Sequence, residues 1–293
     1  MLLARDGKLH YDDHLTDFFP EFPAYGKSIT VRNLLNHTSG LPDYGDLLMK
    51  RYPNTPPEKV PQILDAAVLK LLEQQSSGEF APGTKWEYSN SGYAVLAMIV
   101  EKVSGKSFGQ FLQERIFTPL KMKNTLAYEK GENEVPHRAY GHSKIQKESS
   151  QDAKAVWQET DQSPTSAVLG DGGIYSSIDD LAKWDRALRD HTRLSAAEMQ
   201  PALTPVQPTG GPAKFPEGQS LTYGFGWFLD PYQSHQNQAH KRMSHDGETI
   251  GFRTTIQRFP DDQLTIIVLA NRTDINPEEL ALKVADLYLG TKP

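Results

Sequence analysis

Phe80-Ala-Pro-Gly-Thr-Lys-Trp-Glu-Tyr-Ser-Asn-Ser-Gly-Tyr93 is the stretch on which the reading of this chain turns. Directly after it, Tyr93, Val95, Leu96, Ile99, Val100 and Val103 recur at helical spacing, and Ser104-Gly105 closes the run. The triplet Tyr88-Ser89-Asn90 therefore stands at the entrance to an amphipathic helix. On its own, a Tyr-x-Asn reads as a core tyrosine with its hydroxyl bonded to backbone.

Working back towards the N-terminus, Leu64 to Leu72 follows a helical pattern, and residues 50–61, with four prolines, form a loop. Thr30 is an N-cap for a short helix over Val31–His37, with Ile29 and Leu34 placed for a hydrophobic staple and Gly40 as the stop. The opening Met1-Leu-Leu-Ala-Arg-Asp-Gly-Lys-Leu9 reads as the last turns of a helix ended by Gly7. It has no basic segment followed by an apolar stretch, so it is not a secretory signal, and localisation stays unassigned.

Towards the C-terminus, Ser107 with Gln110 makes a capping box for a helix over Phe108–Ile116, ahead of Pro119. Residues 128–165 are polar, show no clear period and are expected to wander over the surface. Ser177 with Asp180 starts another helix, on which Leu181, Trp184 and Leu188 share a face. The Pro- and Gly-rich loop 205–218 marks a change of texture. Beyond it, Tyr223–Leu229 and Ile250–Phe259 read as strands joined to a turn at Pro260-Asp-Asp262. Leu264-Thr-Ile-Ile-Val-Leu-Ala270 is a continuous apolar run, the pattern of a strand buried on both faces. Asn276-Pro277-Glu278-Glu279 begins a helix that runs to about Leu289. Two regions are expected: a mostly helical 1–205 carrying Tyr-Ser-Asn, and 206–293, with antiparallel strands and a C-terminal helix, carrying His245-Asp246-Gly247.

Composition narrows the function classes. The 293 residues can build one large domain or two joined ones, and 38% hydrophobic with 23% charged residues is ordinary for a globular chain. A net charge of −6 offers no basic excess for phosphates, so a nucleic-acid partner is not expected. No apolar run is long enough to span a bilayer. The absence of cysteine excludes disulfides, thiol nucleophiles and cysteine-held metals. His235, His240 and His245 recur every five residues, a spacing that does not place all three on one face of a helix or strand, so no metal and no cofactor is expected. Asp171 among its glycines is read as a tight turn, because no Lys-Ser or Lys-Thr follows. His37 is read as fixing a turn. Ser39 and Ser89 lack a Gly-x-Ser-x-Gly elbow and an obvious base, and are given structural roles.

Taken together, Tyr88-Ser89-Asn90 and His245-Asp246-Gly247 resemble the second and third motifs of the serine β-lactamase and penicillin-binding-protein superfamily. His37-Thr-Ser-Gly-Leu-Pro-Asp43, Pro119-Leu-Lys-Met-Lys-Asn-Thr125, Gly172-Gly-Ile-Tyr-Ser-Ser-Ile-Asp-Asp-Leu181 and Tyr223-Gly-Phe-Gly-Trp227 look like further landmarks in family order. The resemblance covers essentially residues 1–293. It implies an α+β, β-lactamase/transpeptidase-like fold, with a helical domain packed on an antiparallel sheet. It also implies hydrolysis of a small-molecule ester, a β-lactam or a D-amino-acid peptide through an acyl-serine. Tyr88 would be the proton relay and Asn90 the amide contact. His245 would stand where many relatives have lysine, and Gly247 with Glu248 would bind substrate, the Glu248 N–H serving as oxyanion donor.

The family's first motif, Ser-x-x-Lys, is not found: no serine in the sequence has a lysine three residues on. The resemblance therefore leads to the expectation of an N-terminally truncated member without its nucleophile and without the N-terminal strands of the sheet. The unpaired edge would favour self-association. The alternative is a catalytically dead relative that binds penicillin-like or peptidoglycan-like ligands.

Overall fold

The structure is a computed structural model that describes residues 1–56, 59–129, 131–145 and 156–289. Its elements follow local signals closely. The chain opens with α1 (Leu2–Arg5), ended by Gly7 at φ 66°, and α2 (Leu15–Phe18). Then come α3 (Val31–Leu35), α4 (Tyr44–Arg51), α5 (Asp65–Glu73), α6 (Asn90–Ser104) and α7 (Phe108–Leu112). The Thr30 hydroxyl accepts the Asn33 amide while the Asn33 side chain accepts the Thr30 amide, so both ends of the α3 cap are satisfied. Helix α3 stops at Leu35, two residues short of the expected His37, because His37 turns into left-handed backbone at φ 59°. Gly105 ends α6 at φ 69°, as the Ser-Gly signal required. Helix α7 is shorter than expected; the turn Gln113–Phe117 that follows is π-wound.

Strand β1 (Leu126–Ala127) comes next, followed by β2 (His142–Ile145) and β3 (Val156–Glu159), which pair antiparallel. The expectation of a structureless 128–165 is corrected here. Every residue of β3 is exposed and β2 is no more than half-buried, so no burial pattern was written into their sequence. Residues 146–155 of that segment lie outside the described residues. Strand β4 (Ile174–Tyr175) pairs with β1. Helix α8 (Ile178–Arg189) starts where Ser177 accepts the Asp180 amide, and α9 (Ala196–Met199) follows.

Strands β5 (Tyr232–Gln233) and β6 (Ala239–His240) pair with each other. Then β7 (Met243–Thr249), β8 (Phe252–Phe259) and β9 (Leu264–Ala270) form an antiparallel sheet in that order, and α10 (Pro277–Tyr288) packs against β8 and β9. The expected strand over Tyr223–Leu229 does not form. Gly226 at φ 71° breaks it, leaving isolated bridge residues at Tyr223 and at Phe228, the latter paired with Ser244. The expectation that Leu264–Ala270 is buried on both faces is also corrected. Among the described residues its only strand partner in this sheet is β8, none of its own residues is fully buried, and Leu269 is 39% exposed. An apolar run fixes a strand but not how many layers cover it.

The chain divides into two compact units, Met1–Glu134 with Pro164–Trp227, and Val135–Ser163 with Phe228–Pro293. This partition differs from the single boundary after residue 205, since 135–163 belongs with the C-terminal strands and 206–227 with the helices. The first unit holds a core of Leu15, Ile29, Leu34, Val68, Leu72, Val95 and Ile99, each essentially fully buried. The second is centred on Phe259, Ala285 and Leu289. No helix among the described residues is long and apolar enough to cross a membrane.

Candidate active site

Tyr88-Ser89-Asn90 is held by the backbone around residues 37–44. The Glu87 amide donates to the His37 carbonyl, Gly83 to Thr38 and Glu79 to Gly40, so the 79–87 stretch is stitched to His37–Gly40. Gly40 must be glycine, since its φ is 69° and a Cβ would stand 2.2 Å from the Phe80 carbonyl. At the start of α6, the buried Ser91 hydroxyl donates to the Pro42 carbonyl at 2.6 Å and accepts the Tyr44 amide at 2.8 Å. These bonds set the first turn of the helix, and with it the positions of Tyr88 and Asn90.

Beneath Tyr88 lies an aromatic cluster. The His37 ring, 2% exposed, sits 4.3 Å from the Tyr88 ring, 5.2 Å from Tyr93 and 5.0 Å from Tyr223, centroid to centroid, with Trp86 edge-on at 6.1 Å. Tyr88 itself is 42% exposed, so one part of the ring is packed and another open to a ligand. Its phenol is pushed up to about 12, chiefly by desolvation and then by the carboxylates of Asp171 and Asp43. At neutral pH Tyr88 is therefore a hydroxyl, a donor rather than a base. For it to take up a proton, a nearby cation would have to bring its pKa down.

Asp171 is the second perturbed group of this unit. Burial comes first, with Asp65 and Asp43 adding repulsion against the bond donated by the Tyr44 hydroxyl at 2.5 Å, and the carboxyl is pushed up to about 7. Asp65 is raised as well, by burial, while it accepts the Leu169 and Gly170 amides at 2.8 and 2.9 Å. The turn read at Asp171 thus carries a carboxyl that titrates near neutrality. Nothing local signals this, because Tyr44 and Asp65 lie far away in sequence.

His245, Gly247 and Glu248 lie in the other unit, on β7 opposite Ile256, Thr254 and Arg253. His245 Nδ1 is 2.8 Å from the Asp246 carbonyl, which can only accept, so Nδ1 carries the proton and Nε2 is the basic nitrogen. Desolvation lowers the imidazole below its ordinary value, and the Phe228 ring lies 5.8 Å away. His245 is thus neutral at pH 7 and does not reproduce the charge of a lysine. A Cβ on Gly247 would come 2.3 Å from the Thr254 hydroxyl, which explains the glycine. Glu248 is exposed and pairs with Arg253 at 2.6 Å.

The remaining candidates keep structural places. Ser39 and Ser89 are both buried; the Ser39 hydroxyl accepts the Leu41 amide at 3.3 Å, and that of Ser89 is 3.4 Å from the Leu41 carbonyl. The three spaced histidines part company: His235 pairs with Asp286, His240 with Asp262, and His245 with its neighbour's backbone. Among the described residues no group of three or more His, Asp or Glu could hold a metal ion.

With this geometry in place, comparison with known proteins decides the family. The sequence pattern of the Beta-lactamase family matches residues 1–290. The chain belongs to the β-lactamase family. Among its relatives, Penicillin-binding protein 4* of Bacillus subtilis (strain 168) is 33% identical over 299 residues, covering 100% of this chain and 62% of that protein. A D-aminopeptidase of Brucella canis is 28% identical over 268 residues, covering 90% of this chain and 45% of that protein. The chain therefore spans roughly half to three fifths of the length of these two family members. Its fold matches that of the octameric penicillin-binding protein homologue from Pyrococcus abyssi, with a TM-score of 0.78 at 24% identity over 100% of this chain and 63% of that one. It also matches D-amino acid amidase from Ochrobactrum anthropi SV3, with a TM-score of 0.75 at 26% identity, covering 98% and 76%. The β-lactamase/transpeptidase-like α+β fold expected from the sequence is thus the fold of this family member.

Proposed function

We propose that this chain supplies the proton-handling and amide-holding parts of an acyl-serine hydrolase site. The substrate is a small ester, a β-lactam or a D-amino-acid amide or peptide. The observation that carries this reading is the packing of Tyr88 over His37 at the mouth of α6, with Asn90 beside it, in a chain that matches the family from end to end. Names among its relatives, D-aminopeptidase and D-amino acid amidase, point to amide substrates of D-configured residues.

In this reading Tyr88, once a cation beside it brings its pKa down, passes a proton between the attacking hydroxyl and the leaving group, and Asn90 holds the substrate amide. In the second unit, His245 is a neutral hydrogen-bonding group, and the Glu248 N–H is the donor that the family resemblance assigns to a developing oxyanion. The acylated hydroxyl is one that these 293 residues do not supply as Ser-x-x-Lys. The chain by itself then binds such ligands without turning them over.

The test is hydrolysis of p-nitrophenyl butyrate and a chromogenic cephalosporin, with calorimetric binding of D-phenylalanine amide and benzylpenicillin, by the wild-type chain and by Tyr88→Phe. The expected result is no turnover by either, together with saturable binding of at least one ligand that Tyr88→Phe weakens. Turnover abolished by Tyr88→Phe would place the nucleophile within the chain, with Ser39 and Ser89 to be examined first. The absence of both turnover and saturable binding would overturn the reading.

A further inference from the structure

We infer that His37 is the positioning residue of the Tyr-Ser-Asn element: a neutral imidazole, fixed in one tautomer by hydrogen bonds at both ring nitrogens, that anchors the Ser89 backbone and supports the Tyr88 ring. The inference rests on the role proposed above for Tyr88.

The tautomer follows from the donors. The Ser89 amide donates to His37 Nδ1 at 3.2 Å, and a nitrogen that accepts carries no proton. The proton of the neutral ring is therefore on Nε2, which lies 3.0 Å from the Tyr223 hydroxyl and donates to it. Tyr223 in turn donates to the Tyr93 hydroxyl, whose own proton goes to a carbonyl; burial first keeps both phenols protonated. The Tyr93 hydroxyl ends the chain by donating to the Leu35 carbonyl at 2.8 Å. Each proton in this series, from Ser89 through His37, Tyr223 and Tyr93 to Leu35, has one direction.

Two consequences follow. The imidazole nearest Tyr88 uses both nitrogens in this series, so it is a fixture and not a general base. A proton placed on Nδ1 would face the Ser89 N–H and break the anchor. The backbone is compatible with this role: His37 occupies left-handed φ space at 59°, a region that β-branched residues avoid and that histidine, asparagine and aspartate enter more readily. Its ring touches Tyr88, Ser89, Tyr93 and Tyr223. These contacts draw together three of the sequence landmarks, His37-Thr-Ser-Gly, Tyr-Ser-Asn and Tyr223-Gly-Phe-Gly-Trp227, in a single unit.

The experiment is NMR on the full chain labelled with 15N-histidine, 13Cζ-tyrosine and backbone 15N, comparing wild type, His37→Asn and His37→Leu, with Tyr88→Phe to assign the Tyr88 signal. Wild type is expected to show His37 Nδ1 in the unprotonated range and Nε2 protonated. His37→Asn can keep the left-handed backbone and offer its carbonyl oxygen to the Ser89 amide, so Ser89 hydrogen exchange stays within about threefold of wild type. His37→Leu removes the acceptor, and Ser89 exchange speeds up about tenfold, the factor a typical hydrogen bond is worth. In His37→Asn the Tyr88 titration midpoint falls towards that of a free phenol, because the smaller side chain leaves the phenol more solvated.

A protonated Nδ1 in wild type overturns the inference, as does unchanged Ser89 exchange in a folded His37→Leu chain. If His37→Leu does not fold, the wild-type tautomer and the His37→Asn midpoint still decide it. These signals require no catalysis, so ligand binding unaffected by Tyr88→Phe would overturn the functional reading while leaving the His37 result standing.

Discussion

The Tyr-Ser-Asn and His-Asp-Gly elements weigh about equally in the sequence, yet they are built by different means. Around Tyr88 the partners are buried: His37 and Ser39 are 2% exposed, and Ser91 and Tyr223 are 0% exposed. Around His245 the strand runs outward, and Asp246, Gly247, Glu248 and Thr249 are all exposed. The first element is fixed by side chains brought from elsewhere in its unit. The second is fixed by the register of β7 on β8. A short segment can thus be positioned by packing or by a backbone ladder, and the two respond differently to substitution.

The largest expected effect tests the packed side. Tyr223→Ala empties a fully buried site beside His37 and Trp86. It should cost about 3–5 kcal/mol of stability in urea unfolding, the usual range for truncating a buried aromatic. A loss as small as that of a surface substitution would break the contrast between the elements.

Glycine substitutions come next. Gly226→Ala meets both a φ of 71° and the Tyr93 hydroxyl 3.1 Å from the new Cβ, and should cost about 1–3 kcal/mol by the same measurement. Gly247→Ala meets only the Thr254 side chain, so its cost should be about 1 kcal/mol and should largely vanish when Thr254→Ala is added.

The two regions should also titrate in opposite senses. Asp171 keeps its proton in the fold up to about 7 against an ordinary 3.8. The unfolded chain therefore releases that proton first, and the Asp171 contribution falls as pH rises from about 4 to about 7, then levels. Asp171→Asn should flatten that slope and raise Tm at pH 8 relative to wild type. His245 is lowered from 6.5, so the unfolded chain takes up a proton first on acidification and stability falls below that pH. His245→Gln should flatten the acid side alone. Thermal melts across pH 4–9 check both slopes. The smallest effect belongs to Glu248→Gln: its ion pair with Arg253 joins a side chain 72% exposed to one 21% exposed, and the loss should stay below about 1 kcal/mol.

Much of the fold was legible because helix ends are local events. Thr30, Ser177 and Asn276 each accept an amide three residues on, and Gly105 closes α6 by its own φ. Strands β8 and β9 were legible from their residue pattern, whereas at Tyr223–Leu229 glycines and a buried tyrosine imitate a strand, and the short β5 and β6 left no signal. The β2–β3 pair was not, because an exposed polar hairpin imposes no hydrophobic period.

The sequence by itself determined the family, the fold class and the ends of several helices, since motif spacing and caps depend on residues a few places apart. The tertiary structure alone decided what His37 and Asp171 do. His37 finds its partners 52 and 186 residues away, and Asp171 meets Tyr44 across 127. The state of a ring nitrogen or a carboxyl depends on which donors and charges surround it after folding, and no local pattern in the chain records those neighbours.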